Sequence, residues 1–220
     1  MKISKKKVII YSVNDEIFTF PILYKVCKIL NENYLIEIYF GKTKLKRKIK
    51  ILIIFLLFSS IFSFRKLFIK KKFKDKILKL KNVKLILKDD KNYDFGISLF
   101  FNKIILNKKF PIYNFHLGNF KYQRGSFIFF YKFFFNWKFL DLTFHRINNK
   151  LDAGPIISKK KINIEKMDSI EIASIYLNNL NFVKKSIKKI LRPKVKKIKK
   201  KLGQINYEPS YLVILKTFFR

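Results

Sequence analysis

The chain has 220 residues, 49% of them hydrophobic and 17% aromatic, enough apolar material for one full core with a small appendage. Peptide-hormone, disulfide-scaffold and intrinsically disordered classes are excluded on that composition. Lys and Arg number 50 against 14 Asp and Glu, a formal net charge of +36 of the kind that ordinarily points to nucleic acid or an anionic membrane. The lysines are spread along the whole chain among Ile, Asn, Phe and Tyr, residues of A- and T-rich codons, so biased base composition accounts for the charge better than selection for a polyanion.

The basic start, Met1 to Lys7, leads into a short apolar run, Val8-Ile9-Ile10-Tyr11, which is too short for the core of a secretory signal. That run reads as a strand ended by Ser12-Val13-Asn14-Asp15, and Leu23, Val26, Cys27 and Leu30 then recur at helical spacing. Cys27 is the single cysteine, which excludes an internal disulfide and a cysteine-ligated zinc, fits a reducing cytoplasm, and suits plain core packing. Residues 34–40 form a second strand closed by Gly41, and residues 42–74 are basic and helical with a break at Ser59-Ser60. Within them, 51–64 is strongly apolar and flanked by Lys48, Lys50, Arg65 and Lys66. Its helix would cover about 21 Å, short of the roughly 30 Å of a bilayer core, so a buried or interfacial helix is expected, with peripheral membrane contact as the alternative.

Strands at 83–87, 95–99, 112–116 and 142–147 follow, with an irregular loop at 117–125 and a crowded aromatic run at 127–139 read as a buried helix rather than a base-stacking platform. Asp168 with Glu171 makes a capping-box start for one long amphipathic helix reaching about Leu191. Arg192-Pro193 ends it, and the basic run 194–201 reads as a solvated connector. Strands alternating with helices imply an α/β fold: a doubly wound, mainly parallel sheet with helices on both faces, whose chemistry sits at the carboxyl ends of the strands. We expect a catalytic domain at 1–160 and a helical C-terminal extension at 161–220 packed on the same domain.

Two segments carry candidate chemistry. In Tyr113-Asn114-Phe115-His116, Asn114 and His116 stand two apart on a strand end, so an amide and an imidazole share one face. In Leu151-Asp152-Ala153-Gly154-Pro155, a turn can tuck the Asp152 carboxylate inward. A lone histidine at a strand end is most often structural; the combination is what directs attention here. With Arg124-Gly125 and Thr143-Phe144-His145 between them, and Ile156 after them, these segments follow in order the pattern Asn-x-His, Arg-Gly, Thr-x-His and Leu-Asp-x-Gly-Pro-Ile. On those motifs the chain resembles the folate-dependent formyltransferases, the family of glycinamide ribonucleotide, methionyl-tRNA and sugar-nucleotide formyltransferases. The segment from Gly203 to Ser210 looks like the close of small stand-alone members, so the chain is expected to be complete.

The resemblance implies a Rossmann-like formyltransferase fold and transfer of a formyl group from 10-formyltetrahydrofolate to a primary amine, with no metal. It assigns catalysis to Asn114 and His116, which would hold the oxyanion of a tetrahedral intermediate, and to Asp152, which would order a proton-carrying water. It places folate against Asn102, Lys103, Ile104, Ile105, Asn149 and Leu151, and the acceptor near Ser12, Asn14, Arg124 and Gly125. His145 is expected to be structural. The chain departs from the family after His116, where Leu117-Gly118-Asn119-Phe120-Lys121 replaces Pro-Ser-Leu-Leu-Pro, and at Asp141, where a glycine is common. The first turn lacks the glycine that lets amides approach a phosphate, which disfavours glycinamide ribonucleotide. A small amine such as an amino sugar nucleotide is the expected acceptor. Methionyl-tRNA comes second, and a non-catalytic membrane-surface or nucleic-acid-binding relative is the reading from a different class.

Overall fold

The structure is a computed structural model and describes residues 5–14, 19–63, 73–89, 92–101, 103, 105, 108–190 and 202–220. Seven strands among the described residues form one mainly parallel sheet: β1 (Lys6–Val13), β2 (Tyr34–Gly41), β3 (Val83–Ile86), β4 (Phe95–Leu99), β5 (Ile112–Leu117), β7 (Phe139–Arg146) and β8 (Ile156–Asn163). Their order is β3-β2-β1-β4-β5-β7-β8, parallel from β3 through β5, with β7 antiparallel to β5 and β8 antiparallel to β7. The chain winds outward from β1 first to one side and then to the other, so the switch point lies between β1 and β4. Two short strands, β6 (Arg124–Gly125) and β9 (Ile205–Asn206), make a separate parallel pair.

Alternation along β1 explains the layers. Val8 and Ile10 point to a core shared with α1 (Thr19–Leu30) and α3 (Phe73–Leu78), where Leu23, Val26, Cys27 and Ile77 are buried. The same core takes Ile172 of α5 (Ser169–Ala173) and Val183 and Ile187 of α6 (Leu180–Ile190). Ile9 and Tyr11 point the other way, to a cluster with Tyr93, Ile105 and Ile112. On β5, Tyr113, Phe115 and Leu117 belong to the first core, which leaves Asn114 and His116 on the face of Ile112. A third cluster joins α2 (Leu45–Phe58), α4 (Ile128–Phe134) and α7 (Tyr211–Phe218) through Ile54, Phe127, Phe130 and Ile214.

Three elements differ from the sequence reading. The expected long helix from Asp168 is broken after α5 by turns and a 3-10 segment, Leu177–Asn179, before α6 begins. Its capping box is present, with Asp168 Oδ1 accepting from Glu171 N at 2.9 Å and Glu171 Oε2 accepting from Asp168 N at 3.0 Å. The break has a local cause: Ser174 Oγ donates to the Ile170 carbonyl and Asn179 Nδ2 to the Ile175 carbonyl, side-chain bonds that compete with helix continuation. The aromatic helix ends at Phe134, where Asn136 takes a left-handed φ of +50° and turns the chain into β7. Strand β8 was not anticipated; its Ser-Lys-Lys-Lys centre hides the alternation, as befits an outer strand whose lysines face water. The apolar segment at 51–64 is helical from Leu45 to Phe58, while Phe64 and the basic run at 194–201 lie outside the described residues.

Candidate active site

The antiparallel pairing of β5 with β7 builds the centre of the site. It sets Asn114 opposite His145 and His116 opposite Thr143 at the carboxyl end of β5. Asn114 Nδ2 lies 3.2 Å from His145 Nε2, and His145 Nδ1 lies 3.1 Å from the Arg146 carbonyl oxygen. A carbonyl only accepts, so Nδ1 carries the proton, and Nε2 accepts from the Asn114 amide. Burial, reinforced by the neighbouring His116, pushes the His145 pKa down to about 4, against the opposing pull of Asp152. His145 is therefore neutral at pH 7 and fixes the orientation of the Asn114 amide.

His116 is buried, and its Nε2 donates to the Gln123 carbonyl at 2.7 Å. Its Nδ1 faces Asp152 Oδ1 at 3.6 Å, a separation too long for a hydrogen bond. Because Nε2 is committed to the Gln123 carbonyl, Nδ1 is the ring nitrogen left facing the carboxylate. His145 Nε2 stands 3.8 Å from the same carboxylate oxygen.

The turn after β7 delivers Asp152. Its φ is +43°, a left-handed conformation that Asp tolerates better than most residues. Gly154 is required beside it, because a Cβ there would run into the Arg146 carbonyl oxygen. Asp152 Oδ2 accepts from Gly125 N at 2.8 Å, while Arg124 donates from Nη2 to the Leu151 carbonyl and from Nη1 to the Gly203 carbonyl, both at 2.6 Å. Arg124 and Gly125 thus clamp the aspartate turn from below.

The departures after His116 are also accommodated. Gly118, at φ +137°, packs its main chain against Gln123, and Thr143 Oγ1 donates to the Gly118 carbonyl at 2.7 Å. Asp141, where a glycine is common, accepts from Gly118 N with its main-chain oxygen and pairs through Oδ2 with Lys159 at 2.8 Å. Phe120 sets its ring edge-on to His145 at 4.8 Å.

Asn114, His116, Asp152, Arg124, Gly125 and Leu151 are therefore brought together. Ser12 and Asn14 lie at the same sheet edge, but two strands away by the pairing Ser12 to Leu99 to Phe115. The Ser12 hydroxyl is buried and donates to the Leu99 carbonyl at 3.1 Å, whereas Asn14 is exposed at a hollow of about 360 Å³ lined also by Lys42, Thr43 and Lys48. Lys103 and Ile105 border a second hollow, of about 420 Å³, with Tyr11, Tyr39 and Asp89. Asn149 is exposed in the loop before Asp152, and Asn102 and Ile104 lie outside the described residues. Among the described residues no group of three or more His, Cys, Asp or Glu could hold a metal ion. Sequence reasoning missed three parts of the site: the Gln123 carbonyl, a main-chain group without a sequence signature, and two remote groups, the Gly203 carbonyl and Tyr176, whose hydroxyl donates to the His116 carbonyl.

No protein-family model matches the sequence, and no curated protein matches it. Solved structures do. A 4-N formyltransferase from Francisella tularensis superposes with a TM-score of 0.64 at 16% identity, covering 98% of this chain and 87% of that one. WlaRD, a sugar 3N-formyl transferase in the presence of dTDP and 5-N-formyl-THF, gives 0.58 at 20% identity over 93% of this chain and 70% of that one. A methionyl-tRNA formyltransferase from Clostridium thermocellum gives 0.53 at 13% identity over 98% and 82%. The chain has the fold of these formyltransferases.

Proposed function

We propose that the chain transfers a formyl group from 10-formyltetrahydrofolate to a primary amine, the acceptor being an amino sugar nucleotide or a similar small precursor. The observation that carries this reading is the convergence of Asn114, His116 and Asp152, with His116 Nδ1 held 3.6 Å from a buried carboxylate. The amine nitrogen attacks the formyl carbon, the carbonyl electrons move to oxygen, and the tetrahedral intermediate collapses with cleavage of the bond to N10. One proton leaves the attacking nitrogen and one reaches N10. Asn114, whose amide has a second N–H beyond the one given to His145, stabilises the oxyanion. His116 and Asp152 accept and return the proton at Nδ1, the one ring nitrogen that Gln123 does not occupy.

Folate would lie between the stretch around Lys103 and Ile105 and the loop carrying Asn149 and Leu151, leaving Arg124 and Gly125 as positioning residues beneath Asp152. The hollow at Asn14, with Lys42 and Lys48 on its rim, offers cationic surface for a nucleotide diphosphate at the same sheet edge. WlaRD, determined with dTDP and a formyl folate, supports both halves of this reading by analogy of fold. Methionyl-tRNA stands second as acceptor, with only the net charge of +36 in its support. The test is a panel of amines incubated with 10-formyltetrahydrofolate, following free tetrahydrofolate with and without acceptor. Acceptor-dependent release from an amino sugar nucleotide is expected; no release with any amine, tRNA included, overturns the enzyme reading in favour of a non-catalytic relative.

A further inference from the structure

Helix α2 leaves an apolar stripe in water. Leu45, Ile49, Leu52 and Leu56 recur at spacings of four, three and four, which places them on one side, and they are 72, 41, 51 and 59% exposed. The opposite side is well used: Ile54 and Phe55 are buried against α4, α5 and α7. Beyond the helix end, Ile61 and Phe62 are again exposed, at 78 and 76%. Helix α7 packs on α2, with the Phe58 and Phe218 rings 5.8 Å apart, and it too presents Leu212, Leu215 and Phe219 to solvent. So large a collection of exposed apolar side chains on two touching helices marks an interaction surface rather than chance exposure.

The charges on α2 are sorted by direction. Arg47 and Lys50 turn inward, to Glu208 at 3.1 and 2.9 Å, and Arg47 also covers the Phe127 ring. At 100° per residue, Lys46 and Lys48 flank the apolar stripe on either side; both are exposed, and no described carboxylate pairs with them. Lys216 and Arg220 are exposed on and beyond α7. An apolar stripe bordered by lysines, whose stems can lie along it while the ammonium groups meet phosphate, is the chemistry of a helix lying in a bilayer interface.

We infer that the α2–α7 surface docks the protein on an anionic lipid bilayer. A second copy fits less well, since each copy carries a net charge of +36 and two such surfaces repel. A nucleic acid would satisfy the lysines and leave the leucines in water. Crossing the membrane is not involved, because no described helix is long and apolar enough to span one. Lys48 also stands on the rim of the Asn14 hollow; none of the other residues named on this surface belongs to the proposed formyl-transfer site, and vesicle binding is read without any formyl transfer.

The test is co-sedimentation of the full chain with vesicles of phosphatidylcholine alone and of roughly seven parts phosphatidylcholine to three parts phosphatidylglycerol. Binding is expected only to the anionic vesicles, and it should weaken severalfold on raising the salt from about 0.1 to 0.5 M. Leu52→Glu with Leu56→Glu, exposed positions whose change spares the core, should lower partitioning by about 10-fold or more, with an unchanged circular dichroism spectrum. Lys46→Glu with Lys48→Glu should weaken binding to anionic vesicles while leaving the fold intact. Absence of binding, or binding indifferent to both pairs of substitutions, overturns the inference. So does a dimer in sedimentation equilibrium that the leucine substitutions dissociate, which would make a second copy the occupant.

Discussion

The Tyr176 hydroxyl donates to the main-chain carbonyl of His116 at 2.7 Å, a bond between residues 60 apart in the chain. Both groups are buried, and burial holds the tyrosine hydroxyl well above its ordinary pKa, so it stays a donor across the working pH range. The imidazole is therefore fixed from two directions: its backbone by Tyr176, its ring by the Gln123 carbonyl.

Tyr176→Phe removes that donor and leaves the His116 carbonyl without it. Stability should fall by about 1–2 kcal/mol, read as a lower urea midpoint, and turnover of the folded variant should fall severalfold because the imidazole is less well held. An unchanged midpoint would mean that another donor replaces the hydroxyl.

Asp152→Asn keeps an oxygen for Gly125 N but removes the charge facing His116 Nδ1. Turnover should drop by about 10² or more, the scale of a general acid-base contribution, with folate affinity little changed. Activity per folded molecule near the parental level, accompanied by a lower melting temperature, would reduce Asp152 to a support of its own turn.

Arg124→Lys tests the clamp. One ammonium cannot reach both the Leu151 and Gly203 carbonyls in the forked geometry of a guanidinium. We expect a loss of about 1–3 kcal/mol in stability and a KM for folate that rises more than kcat falls, because the loop carrying Asn149 and Leu151 loosens while His116 stays in place. Equal loss in kcat with an unchanged KM would place Arg124 in the chemical step instead.

His145 gives the fold an acid-side sensitivity. Its pKa is about 4 folded against about 6.5 in an unfolded chain, so between those values the unfolded state binds the extra proton. The stabilisation from its neutral form is complete above about pH 6.5 and is lost as the pH falls toward 4, by about 3 kcal/mol in all. His145→Gln, which retains an amide near the Asn114 side chain, should flatten the pH dependence of the urea midpoint in that window. A slope equal to the parent's would assign the acid sensitivity to other groups.

The sheet was legible because its inner strands carry short runs of apolar and small residues, such as Val8 to Tyr11 and Phe95 to Leu99, that suit burial on both faces. The candidate site was half legible. Asn114 and His116 declare themselves by a spacing of two on a strand, and Asp152 by the Gly154 that its turn demands. What fixes those side chains was hidden, because Gln123 offers only a main-chain carbonyl, which has no sequence signature, and Tyr176 reaches the site through a tertiary fold that periodicity does not encode. For Ser12, which the resemblance sets near the acceptor, the pairing of β1 with β4 places the hydroxyl beside the Leu99 carbonyl, a main-chain partner the sequence does not reveal. Strand β8 escaped notice for a related reason, since an outer strand needs only one apolar side and can present lysines along its middle.

The pairing of β6 with β9 makes the site a long-range construction. Arg124 pairs with Ile205, and its guanidinium donates to the carbonyl of Gly203, so the support beneath Asp152 is built partly from chain remote in sequence. The aspartate turn is thus held from two sides, by Gly125 N on its carboxylate and by a guanidinium that also grips a residue 79 positions further along the chain. The register of His116 and Asp152 therefore depends on contacts that form only when distant parts of the chain have met.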